Sequence, residues 1–201
     1  MRRTFKWTIL TLMLSAGFAT SALAQGTATD FVRAKSDDII RVVNTSANKD
    51  TRLAGLRAAV SSTIHFELLA QRTLNRHWDG LSAAQRTDFT ATLKELIETS
   101  YSTRLGDKML DPGSYTVQFT DERERRGRTT VSAIVSVDAR RHYVDVRLQQ
   151  SDAGEWQVYD VVTDDISLQE SYAESFDEII RSKGFDDLMR RLRTSIDEMK
   201  D

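Results

Sequence analysis

The residues of this 201-residue chain that could do chemistry are few: three histidines, an aspartate-rich stretch around position 160 and one arginine-dense turn. His65, His77 and His142 fall in no spacing, such as H-E-x-x-H, that would bring two imidazoles onto one metal. There is no cysteine, so thiolate ligation, disulfides and thiol nucleophiles are excluded. A G-x-S-x-G elbow, a phosphate-binding loop and a dinucleotide-binding glycine pattern are likewise missing from the sequence. Asp160, Asp164 and Asp165 are the candidates for a general base in a pocket. Asp164 and Asp165 stand where a strand ends, as turn residues do. Tyr159 and Asp160, the pair that a ketosteroid-isomerase-like site would use, are neighbours that a regular strand turns to opposite faces. The sequence therefore points to no catalytic residue, no metal and no cofactor. The turn Arg123-Glu124-Arg125-Arg126-Gly127-Arg128 offers guanidinium groups to a phosphate headgroup or an acidic partner. With Asp121, Glu122 and Glu124 interleaved, it reads first as a solvated hairpin.

The surrounding chain is that of a globular protein, 40% hydrophobic and 29% charged. Its beginning has the layout of a signal peptide. Arg2, Arg3 and Lys6 precede an apolar run from Trp7 to Ala19, and Ala22-Leu23-Ala24 supplies a small-x-small site with cleavage before Gln25. The run is about 13 residues, short of the roughly 20 that cross a bilayer. Arg2-Arg3 has something of a twin-arginine signal, although a Sec n-region accounts for the same charges. This divides the chain into a signal peptide, 1–24, and a single domain, 25–201, destined for the periplasm. Cleavage takes the formal charge from −2 to −5. A mildly acidic protein has no electrostatic reason to bind nucleic acid, and nothing in the sequence demands more than a monomer.

The domain falls into three blocks, helices, strands and helices, which predicts an α+β fold with an antiparallel sheet. Phe31, Ala34, Ile39, Val42 and Val43, then Leu53, Leu56, Val60 and Ile64, keep helical periods, and a short third segment covers His65 to Leu74. Ser82 and Gln85 form a capping box ahead of a long helix striped by Phe89, Leu93, Leu96, Ile97, Tyr101 and Leu105. After Asp111-Pro112-Gly113 come four strand-like runs, Tyr115 to Thr120, Thr129 to Val137, His142 to Gln149 and Glu155 to Thr163. Polar connections at Asp121–Arg128, Asp138–Arg141 and Ser151–Gly154 make them a four-stranded meander. A second capping box, Ser167 with Glu170, opens a helix that ends at a left-handed Gly184. A last amphipathic helix carries Phe185, Leu188, Met189, Leu192, Ile196 and Met199.

Two stretches together resemble the toluene-tolerance, or MlaC, family of periplasmic proteins. One runs from Phe66-Glu67-Leu68-Leu69-Ala70 through Leu74-Asn75-Arg76-His77-Trp78 to Leu81-Ser82-Ala83-Ala84-Gln85-Arg86. The other runs from Trp156-Gln157-Val158-Tyr159-Asp160 through Ile166-Ser167-Leu168 and Tyr172 to Gly184-Phe185-Asp186-Asp187-Leu188. The resemblance covers about Asp30 to Thr194. It implies a body related to the cone-shaped NTF2-like folds, with a phospholipid as ligand. The partners it implies are an inner-membrane MCE-domain protein with its ABC transporter and an outer-membrane lipoprotein complex. Family members often open the third strand with Ile-Pro-Val-Asp-Tyr; here Arg141-His142-Tyr143-Val144-Asp145 stands instead, without the proline. Relatives associated with hopanoid synthesis leave another lipid open as cargo.

Under this resemblance an apolar cavity between sheet and helices would hold the lipid tails. Its expected liners are Val117, Phe119, Val144, Val146 and Leu148 from the sheet, Ile97, Tyr101 and Leu105 from the long helix, and Ile166, Leu168, Tyr172 and Phe176 after the sheet. By periodicity alone the same stripes read as a filled core. An NTF2-like pocket enzyme and a ligand-free adaptor are the competing readings.

Overall fold

A computed structural model describes residues 26–108, 115–137 and 140–200, with the backbone alone for 101–108. The expected signal peptide and the segment Asp111-Pro112-Gly113 lie outside the described residues. The helices start where side chains can satisfy their free N–H groups. Helix α1 (Ala28–Thr45) opens on a capping box of Thr27 and Asp30, and α2 (Lys49–Thr63) on one of Asn48 and Thr51. His65 caps α3 (Phe66–Leu74), its Nδ1 accepting from the Leu68 N–H at 3.2 Å. A 3-10 turn, Asn75–Gly80, leads to α4 (Ala83–Lys108), where Ser82 and Gln85 exchange hydrogen bonds of 3.0 and 3.2 Å as expected. The Ser167 hydroxyl caps α5 (Leu168–Lys183), but the reciprocal half of that box is not made, because the Glu170 carboxylate accepts from Arg147 instead.

Among the described residues the sheet has five strands in sequence order, all antiparallel, not the four expected. They are β1 (Tyr115–Arg125), β2 (Arg128–Val137), β3 (Arg140–Gln150), β4 (Trp156–Thr163) and a two-residue β5 (Ile166–Ser167). The segment expected as a loop, Asp121–Arg128, is mostly strand. A register shift at Thr120 restores pairing, and the connection shrinks to Arg126-Gly127, both left-handed with φ of 54° and 71°. Two left-handed residues match the twist of the flanking strands, so a long polar stretch can still be a tight hairpin. The β4–β5 turn at Asp164-Asp165 does the same, with φ of 49° and 67°. Of the connection expected at Asp138–Arg141, Arg140 and Arg141 belong to β3, and Asp138 and Ala139 lie outside the described residues.

Directly paired residues share a face, so the register sorts the side chains. The inner face carries Val117, Phe119, Val131, Ala133, Val144, Val146, Leu148, Val158 and Val161; the outer face carries Arg123, Arg125, Thr130, Ser132, Asp145, Arg147 and Asp160. Helix α1 lies on the inner face and runs opposite to β1. Thr29 donates to the Glu122 carboxylate at 2.8 and 2.5 Å, Arg33 sits 4.5 Å over the Phe119 ring, and the Tyr115 hydroxyl donates to the Ile40 carbonyl. At the other edge the α2–α3 junction bridges β4, with the His65 N–H donating to the Val158 carbonyl at 2.8 Å.

The core is correspondingly double. Ala28, Val32, Val131, Leu148 and Val158 pack between α1 and the sheet. A larger cluster, including Leu69, Trp78, Phe89, Leu93, Ile97, Phe176, Leu188 and Leu192, joins α3, α4, α5 and the last helix, α6 (Phe185–Glu198), beside the sheet. The turn between α5 and α6 depends on Gly184, whose φ of +89° and ψ of 170° lie in the glycine-only extended region, not the left-handed helical region expected. No atom lies within 4 Å of where a Cβ would be, so the cost of Gly184→Ala is conformational. It is expected to lower stability by about 1–3 kcal/mol, read as a fall in the urea midpoint at unchanged slope.

Candidate functional site: the half-covered inner face of the sheet

Burial along the inner face is graded. Val131, Leu148 and Val158 have no exposure beneath α1, whereas Val117, Val135, Val144, Val146 and Val161 are only partly buried. One row runs across the sheet at the open end: Phe119, Ala133, Val144, Thr163 and Ile166. Thr163 is exposed and Ile166 is 68% exposed. An apolar sheet face ordinarily buries itself completely against helices. Among the described residues it is covered at one end and progressively open at the other, with aliphatic side chains up to the rim.

The structure divides the expected liners. Val117, Phe119, Val144, Val146 and Leu148 do share the inner face. Ile166 does not line an interior; it sits at the exposed rim, because the Asp164-Asp165 turn folds β5 out as a short edge strand. Ile97, Leu168, Tyr172 and Phe176 belong to the helical cluster beside the sheet, since α5 leaves the β4 edge toward α3 and α6 rather than across the inner face. Tyr172 and Phe176 instead line a cleft of about 630 Å³ among α4, α5 and α6, with Leu96, Ile179 and Met199. The backbone of Tyr101 and Leu105 continues α4, and their side chains lie outside the described residues. Sequence reasoning missed Val135 on β2 and the covering role of α1. The period-2 run Val131, Ala133, Val135 and Val137 was a readable signal for the first. The second depended on long-range contacts.

On the outer face, Tyr159 and Asp160 correct the expectation from regular alternation. Arg147 pairs with Asp160 but Leu148 with Val158, so Tyr159 is the extra residue of a bulge. Both side chains lie on the outer side: Tyr159 under the Arg72 guanidinium at 3.9 Å, and Asp160 at Arg147. Asp160 is 1% exposed and fully engaged. It accepts from the Ser167 hydroxyl at 2.7 Å, the Gln169 N–H at 2.9 Å and Arg147 at 3.1 Å. It is thereby a second cap of α5. Burial pushes the Arg72 pKa down, Tyr159 opposes this, and the like charge of Arg128 adds to it.

The histidines are also tied into structure. His77 and Arg76 bond Asp177 on α5, and both bonds, that to His77 first, hold the Asp177 carboxyl below its ordinary pKa. His142 does the same for Asp164 across the base of β3. Among the described residues no three metal-binding side chains come together, and no helix is long and apolar enough to cross a membrane.

Residues 33–194 match the family model described as MlaC protein. A curated relative, the intermembrane phospholipid transport system binding protein MlaC of Haemophilus influenzae, is 24% identical over 202 residues, covering 94% of this chain and 92% of that protein. A solved structure of a phospholipid-binding protein from Ralstonia solanacearum, in complex with a phospholipid, superimposes with a TM-score of 0.77 at 19% identity. The match covers 88% of this chain and all of that one.

Proposed function

The chain belongs to the MlaC family, and on that premise we propose that it is a periplasmic carrier that shields the acyl chains of a phospholipid against the inner face of its sheet. The observation that carries this reading is the set of aliphatic side chains left half-covered there, Val117, Val135 and Val144, with Ile166 at the exposed rim. Sequestering a methylene is worth about 0.8 kcal/mol, so two chains of roughly 15 methylenes represent on the order of 24 kcal/mol. Release into water would be far too slow for transport. Cargo therefore passes in docked complexes, with an inner-membrane MCE-domain protein and its ABC transporter on one side and an outer-membrane lipoprotein complex on the other. Tails move between apolar surfaces while the headgroup stays near the rim. Neither Asp160 nor the histidines act in catalysis on this reading, because hydrogen bonds within the fold occupy them.

Native mass spectrometry of gently purified protein, expressed with its leader, is expected to show a lipid adduct that organic extraction identifies as a phospholipid. A hopanoid in the extract would keep the carrier and change the cargo. A clean apo mass with nothing extractable would defeat the reading.

A further inference from the structure

The outer face holds a feature that lipid carriage does not use. Arg123, Arg125, Arg126, Arg128 and Arg147 line a concavity of about 500 Å³, with Thr130 and Tyr159 as its remaining lining. In sequence these arginines alternate with acids, which suggested a self-neutralised hairpin. The pleat undoes that mixing. Glu122 and Glu124 turn to the inner face, where Glu122 is held by Thr29, while Arg123 and Arg125 turn outward. Of the acids on the outer side, Asp121 pairs with Arg123 at 2.9 Å, Asp160 and Glu170 pair with Arg147 at 3.1 and 2.8 Å, and Asp145 accepts from the Ser132 hydroxyl at 2.6 Å. Arg125, Arg126 and Arg128 form no ion pair among the described residues. Arg125 and Arg128 even face each other as a directly paired couple, an arrangement that costs stability because like charges oppose. A protein of net negative charge thus concentrates unneutralised guanidinium forks in one small hollow floored by a tyrosine.

From this geometry we infer that the outer concavity is a binding site for a phosphoryl group, separate from the lipid-tail surface on the opposite face. Guanidinium forks match phosphate oxygens bidentately, and a concave hollow of this volume admits a phosphoryl group together with the small molecule or headgroup that carries it. The phosphoryl group is carried either on a lipid headgroup or free in solution.

The test uses the mature protein, pyrophosphate as the soluble probe and phosphatidylcholine vesicles with and without phosphatidate. Pyrophosphate is expected to shift the amide resonances of residues 123–130 and of Arg147 saturably, and the effect should weaken as salt rises. Arg125→Ala with Arg128→Ala should weaken it at least tenfold, and the paired lysine variant should recover only part of the loss. Retention on phosphatidate vesicles, lost in the alanine variant, assigns the lipid headgroup; pyrophosphate binding without retention assigns a free phosphate. The alanine variant should melt no lower than the parent, because it removes a like-charge pair. The assignment is overturned if neither probe binds, if both bind the alanine variant as tightly as the parent, if only an acidic peptide binds, or if that variant melts markedly lower.

Discussion

Val144→Trp is expected to strip the protein of co-purifying phospholipid while leaving it folded. Val144 lies mid-row on the inner face, between Ala133 and Thr163, and is only partly buried, so an indole there has room to sit over the sheet. It would occupy the space of about five methylenes, which at about 0.8 kcal/mol each is about 4 kcal/mol of lost tail burial. That corresponds to a retention roughly three decades weaker, since about 1.4 kcal/mol is a factor of ten. Ser136→Trp is the control: Ser136 is a β2 neighbour that points to the outer face, and its substitution should leave the lipid in place. The measurement is lipid phosphorus per protein after identical purification. Equal lipid in both variants and the parent would mean that the tails lie elsewhere, with the cleft around Tyr172 and Phe176 the next place to look.

Asp160→Ala is expected to destabilise the fold strongly, by about 2–4 kcal/mol, because it leaves buried donors unsatisfied. The carboxylate is buried, and it joins three elements: β3 through Arg147, the β5–α5 junction through Ser167, and the first turn of α5 through the Gln169 N–H. Truncation leaves Arg147 with Glu170 alone and the Ser167 and Gln169 donors unsatisfied. Asp160→Asn keeps an acceptor of the same shape and should cost less, about 1–3 kcal/mol. Urea unfolding gives both numbers. A catalytic base held at the expense of the fold would behave the other way, with its replacement neutral or stabilising. A loss under about 1 kcal/mol for the alanine variant would show that the carboxylate holds nothing together.

The elements were legible because their signals are local. Capping residues at Ser82 and Ser167 and stripes such as Phe89, Leu93 and Leu96 marked helices within a few residues of where they stand. The alternation in Val131 to Val137 and in Val144 to Leu148 fixed the strands and put the sheet liners on one face. Where reading failed, composition and pairing disagreed. Asp121–Arg128 has the polarity of a loop, yet the left-handed turn at Arg126-Gly127 lets it pair along almost its whole length. Tyr159 and Asp160 read as opposite-facing until a single inserted residue put them together.

The sequence by itself determined the α+β order, which residues are apolar along each element, and the resemblance to a lipid-carrying family. These follow from periods of two and 3.6 residues and from caps, all set by neighbours in the chain. Only the tertiary structure decided which of two apolar faces each stripe meets. It sent Leu168, Tyr172 and Phe176 into a helical cluster, left Val144 half-covered and gathered the arginines on the far side of the sheet. The reason is that strand register and helix docking join residues far apart in sequence, and a shift of one residue reverses every side chain beyond it.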